Sequence, residues 1–86
     1  MPEQEQVFGP FRAVRAGEGG GFFIYDATTG TVVGGIRPDG TYSLTKDGDR
    51  LVEEDRANRI DGTKVFTRGP LNEMLTWARK ELRLLP

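Results

Sequence analysis

PLNEMLTWARKELRLLP, residues 70–86, is the stretch whose reading decides the fold. Leu71, Met74, Leu75, Ala78, Leu82 and Leu85 recur at steps of three and four. At ~100° per residue they share one stripe, as a helix lying on a core requires. Pro70, after Gly69, suits a first helical position, where its missing N–H would lack a partner anyway. Glu73 near the start and Arg79, Lys80 and Arg83 near the end complement the helix macrodipole. Pro86 cannot continue the helix. Leu75 and Leu82 are expected at the centre of its contact with the rest of the chain. Trp77 lies off the stripe, beside Glu81 and Leu84. It either widens the core contact or joins Leu84 in a patch for a partner, a role in which Trp is enriched.

Upstream of the helix the chain reads as short strands and turns. VFGPFRAVRA (7–16) holds a first strand: Phe11, Ala13 and Arg15 share one face, and Arg12, Val14 and Ala16 the other. FFIYDA (22–27) is rich in aromatic and β-branched residues and is a second. TVVGGI (31–36) is a third, with Gly34-Gly35 marking a bulge or a close backbone approach. Pro38-Asp39-Gly40 has turn chemistry, TYSLTK (41–46) is a fourth strand, and Asp47-Gly48 is a favoured hairpin dipeptide. Residues 50–54 then read as a fifth short strand, although Leu51 to Asn58 also has helix-forming composition. Asp61-Gly62 suggests one more hairpin, from Asn58–Ile60 to Thr63–Thr67. The expected fold is α+β: an antiparallel β-meander of about five strands, followed by one C-terminal α-helix packed on the sheet. Residues 1–6 are read as a disordered polar lead and 7–86 as one domain.

Composition narrows the function. The formal net charge is −1 and the pI about 5.4, so nothing global draws the chain to phosphate. Acidic residues at 47–55 and basic ones at 56–68 read as solvated faces that pair with each other. The sequence has no cysteine and no histidine, which removes disulfides, thiolate zinc sites and histidine-based triads. Ser43, the one serine, has no base to activate it. Asp47-Gly48-Asp49 begins like a calcium loop, but Leu51 stands where a third oxygen ligand is needed. The glycines at 17–21 lack a third glycine in dinucleotide spacing, and Ile36 takes the lysine position of a phosphate loop. The reading is no enzyme, no cofactor and no metal. No apolar run approaches the ~20 residues of a membrane span. MPEQEQ lacks the parts of a signal peptide, so a cytoplasmic location and a complete small gene product are expected.

Aromatic and basic residues remain. Phe22 and Ile24 alternate with Phe23 and Tyr25, so a sheet covered on one side exposes one pair. The leading expectation is a non-enzymatic protein-interaction module, homodimeric or bound to another protein, using Trp77, Leu84, Phe23, Tyr25 and Tyr42. The alternative is single-stranded nucleic-acid binding, with bases stacked on the aromatics and phosphates held by Arg12, Arg15 and Arg37. Several strands followed by one C-terminal helix resembles the element order of Whirly-type single-strand binders, which pair through their helices. The likeness is one of order alone.

Overall fold

Hairpin connections organise the molecule. The computed structural model describes residues 5–17, 20–57 and 69–84. The elements are β1 (Glu5–Phe8), β2 (Phe11–Arg15), β3 (Phe22–Asp26), β4 (Val32–Ile36), β5 (Tyr42–Leu44), α1 (Lys46–Ala57) and α2 (Pro70–Glu81). The strands form one antiparallel sheet in sequence order, β1 to β5, because links this short allow only antiparallel pairing. The expected hairpin at Asn58–Thr67 lies outside the described residues.

The stretch 7–16 is a hairpin rather than one strand. Gly9, at φ 56°, supplies the left-handed residue that a two-residue connection needs, and Phe8 and Phe11 pair across it. Glu5 and Gln6, inside the stretch expected to be a disordered lead, are paired strand residues. The turns after β3 and β4 are set by aspartates. Asp26 Oδ1 accepts the N–H groups of Thr28 and Thr29 at 2.7 and 3.1 Å. Asp39 Oδ1 accepts the Thr41 hydroxyl and N–H at 2.6 and 2.9 Å. These bonds favour the charged carboxylates and hold both below the usual aspartate value, through the Thr28 N–H first for Asp26 and the Thr41 hydroxyl first for Asp39.

A bulge sits in β4, as the paired glycines suggested. Ile24 pairs with Gly34 but Tyr25 with Val32, so Val33 is the extra residue. It shifts the alternation by one: Val33 turns into the core and Val32 out to solvent. Gly34 is the close approach, since a Cβ there would stand 2.4 Å from the Ser43 carbonyl oxygen.

Residues 50–54 are helix, not strand, and Asp47-Gly48 is no hairpin turn. Thr45 caps α1: its Oγ1 accepts the Gly48 N–H at 3.2 Å, and its backbone C=O accepts the Asp49 N–H at 2.9 Å. The Thr45 hydroxyl also donates to the Val33 C=O at 3.2 Å, which ties the cap to the bulge. Asp47 and Asp49 lie in the first turn, where negative charge is favoured. Gly48 is buried because the turn presses on β4; a Cβ on it would stand 2.4 Å from the Val33 carbonyl oxygen.

The two helices share one face of the sheet, α2 over β1 and β2, and α1 against β4 and β5. Phe11, Ala13, Phe22, Ile24, Val33, Ile36, Val52, Leu71, Met74, Leu75 and Ala78 belong to one buried cluster. Met74 and Ala78 are fully buried, Leu75 nearly so, and Leu82 packs at the margin. The buried face of α2 therefore holds Leu75, as expected, with Met74 and Ala78 the most deeply buried, whereas Leu82 lies at the margin rather than the centre. The end of α2 is a Schellman motif: Leu84 N–H donates to the Arg79 C=O at 2.8 Å and Arg83 N–H to the Lys80 C=O at 3.0 Å, with Arg83 at φ 62°. Arg79 donates twice to the Gly40 C=O, at 3.1 and 3.0 Å, and joins the helix to the β4–β5 turn.

Candidate functional site

The face of the sheet away from the helices is uncovered by any described residue, and cross-strand register fixes what it carries. Val7 stands opposite Arg12, Arg12 opposite Tyr25, Val14 opposite Phe23, Tyr25 opposite Val32, Phe23 opposite Gly35, and Gly35 opposite Ser43. All of these point to the open side, because their neighbours Phe11, Ala13, Phe22, Ile24 and Ile36 point into the core. Val7, Phe23 and Val32 are 57, 48 and 52% exposed. The Phe23 and Tyr25 rings meet at 6.4 Å between centroids. Beside Phe23 a shallow groove of about 400 Å³ runs between Phe23 and Val32 on one side and Ser43 on the other, floored by Gly34 and Gly35.

Part of the charge on this face is compensated within it. Arg12 and Glu5 form an exposed ion pair across the β1–β2 ladder. Exposed pairs of this kind contribute little to stability, but the Arg12 guanidinium already has a carboxylate partner.

The residues singled out from the sequence fall in several places. Phe23 and Tyr25 share the open face as expected. Tyr42 does not join them: it pairs with the buried Ile36 and so lies on the helix side, at the edge beside Leu44, Val52 and Leu71. Trp77 is half-buried, its ring tilted against Phe8 and Phe22 at centroid distances of 5.6 and 5.0 Å, a favourable aromatic geometry. Leu84 is exposed and packs on the β4–β5 turn, its Cδ1 2.8 Å from where a Cβ on Gly40 would stand. Trp77 and Leu84 therefore belong to separate contacts. Of the arginines, Arg12 lies on the open face, whereas Arg15 sits on the helix side with its guanidinium 5.1 Å from the Phe22 ring centre. Arg37 lies at the end of the groove and donates to the Thr41 hydroxyl at 3.3 Å.

Val7, Val32 and Gly35 belong to the open face and escaped the sequence reading. Val7 was legible only with β1 recognised as a strand, and Val32 only with the bulge placed after it. Ser43 is exposed on the same face, opposite Gly35. Among the described residues no group of three or more acidic side chains stands close enough to hold a metal, and no helix is long and apolar enough to cross a membrane. Comparison of the chain with known protein families, with curated proteins and with solved structures returns no match.

Proposed function

We propose that this chain is a non-enzymatic protein-interaction module that works as a homodimer through the open face of its sheet. The carrying observation is the exposure of Val7, Phe23 and Val32 on that one face, with Tyr25 between the latter two. A sheet buries apolar residues against a second layer, and an apolar face left to solvent marks an interaction surface. The nucleic-acid alternative has less support. Stacking and phosphate contact must share one face, yet Arg12 is ion-paired and Arg15 is on the other side, which leaves Arg37 at the end of the groove as the one arginine of the three placed for phosphate there.

Sedimentation of the wild type and Val32→Glu tests the proposal. The wild type is expected to show monomer–dimer exchange in the micromolar range. The variant, with a charge placed where apolar area would be buried, is expected to remain a folded monomer. A wild type that is monomeric throughout overturns the homodimer reading. Salt-sensitive binding of a labelled single-stranded oligonucleotide by that monomer would favour the alternative instead.

A further inference from the structure

Gly35 is an anomaly within a single copy. It lies in a strand interior, where glycine lacks side-chain packing and carries an entropic cost. Its φ is not in the left-handed region. A Cβ on it would meet only the Phe22 carbonyl oxygen, at 3.4 Å, an ordinary contact. Gly34 beside it is different, since a Cβ there would strike the Ser43 backbone. No described residue requires position 35 to be bare, and its bareness keeps the groove beside Phe23 open.

We infer that two copies pack open face to open face, with Phe23 of each entering the groove over Gly35 of the other. This rests on the homodimer reading and gives it a register. Phe23 and Gly35 are direct cross-strand partners, so projection and recess sit side by side on β3 and β4. A two-fold axis running along the strands between them places each projection over the partner's recess, the self-complementarity that an isologous contact requires. The groove, at about 400 Å³, has room for one aromatic ring.

Area and charge favour a second copy over other occupants. At a strand spacing of about 4.8 Å and a rise of about 3.3 Å per residue, a sheet of this size presents roughly 400 Å² in projection. With side-chain relief, two such faces bury on the order of 1,000 Å², the lower limit for a specific interface and consistent with a micromolar dimer. The Glu5–Arg12 pair cancels the charge at one edge of the face, and Arg37, at the groove's far end, has the Asp39 carboxylate close enough to feel its charge, so two copies meet with little repulsion and a polyanion finds no unpaired cation at Arg12.

The test uses wild type, Gly35→Val and Phe23→Ala in sedimentation equilibrium, with circular dichroism to verify folding. Gly35→Val fills the recess and adds a β-branched residue to a strand, so the protomer should melt no lower than wild type. Phe23→Ala removes an exposed ring and should leave the protomer folded. Each variant alone is expected to weaken dimerisation at least about 30-fold, the ratio matching a hot-spot loss of about 2 kcal/mol. Mixing the two is expected to restore association as a heterodimer. Phe23 of the Gly35→Val chain enters the open groove of the Phe23→Ala chain, while the truncated side chain meets the filled groove. If Gly35→Val fails to fold, Gly35→Ala takes its place. Variants that dimerise as tightly as a dimeric wild type, or a mixture no tighter than the variants alone, overturn this register while leaving the homodimer standing. A monomeric wild type removes both.

Discussion

Met74→Ala is expected to lower stability by about 2–5 kcal/mol, the range for truncating a buried methionine. Met74 is fully shielded from solvent and belongs to the same buried cluster as Phe11, Ala13 and Ile24. Its neighbour along the stripe, Ala78, is equally buried and too small to fill the space left behind. A chain of 86 residues has roughly 4–13 kcal/mol of total stability at the usual value per residue, so the loss is a large share and can unfold the domain outright. Leu82, packed at the margin of the cluster, should cost less on truncation. Urea melts of the two variants check the order. A loss below about 1 kcal/mol at Met74, or a larger loss at Leu82, would mean that α2 is not seated as described.

Gly48→Ala is expected to destabilise the protein by about 1–3 kcal/mol, the cost of forcing a methyl group into a packed site. Intrinsic propensity points the other way, because alanine is better than glycine within a helix by about 1 kcal/mol. Geometry decides the sign. A Cβ at this position would stand 2.4 Å from the Val33 carbonyl oxygen and 3.1 Å from Leu44 Cβ. That oxygen is fixed by the Thr45 N–H at 2.8 Å and by the Thr45 hydroxyl at 3.2 Å. The first turn of α1 cannot retreat without losing its cap and its contact with the bulge. A thermal melt showing Gly48→Ala equal to or more stable than wild type would contradict this account of how α1 docks.

These two residues also mark what the sequence could and could not disclose. The stripe from Leu71 to Ala78 is local, since its period and flanking charges lie within one helix, and it led directly to α2 and its buried face. The turn at Pro38–Gly40 was legible for the same reason, its chemistry resting within a few residues. Asp47-Gly48 was not, because a hairpin and a helical first turn both suit it. What selects the helix is the Thr45 cap and the fit of Gly48 against Val33, a contact between segments far apart in the chain.

The open face shows the same division. Alternation already separated Phe23 and Tyr25 from Phe22 and Ile24, and Arg12 from Arg15. Tyr42 was misplaced because its face follows from the register set through the β4–β5 turn. Val32 was missed because the extra residue at Val33 reverses the phase of β4. Gly35 reads from the sequence like any other glycine; only the room around its backbone separates it from Gly34.

The most direct test of the central claim is a dilution series of the labelled wild-type protein followed by amide and aromatic NMR shifts, from about 1 mM to about 10 μM, a window that brackets a micromolar dimer. Concentration-dependent shifts gathered on Phe23, Tyr25, Val32 and Gly35 are the predicted result. A spectrum unchanged across the series, or shifts confined to Trp77 and Leu84 on the helix side, would contradict it.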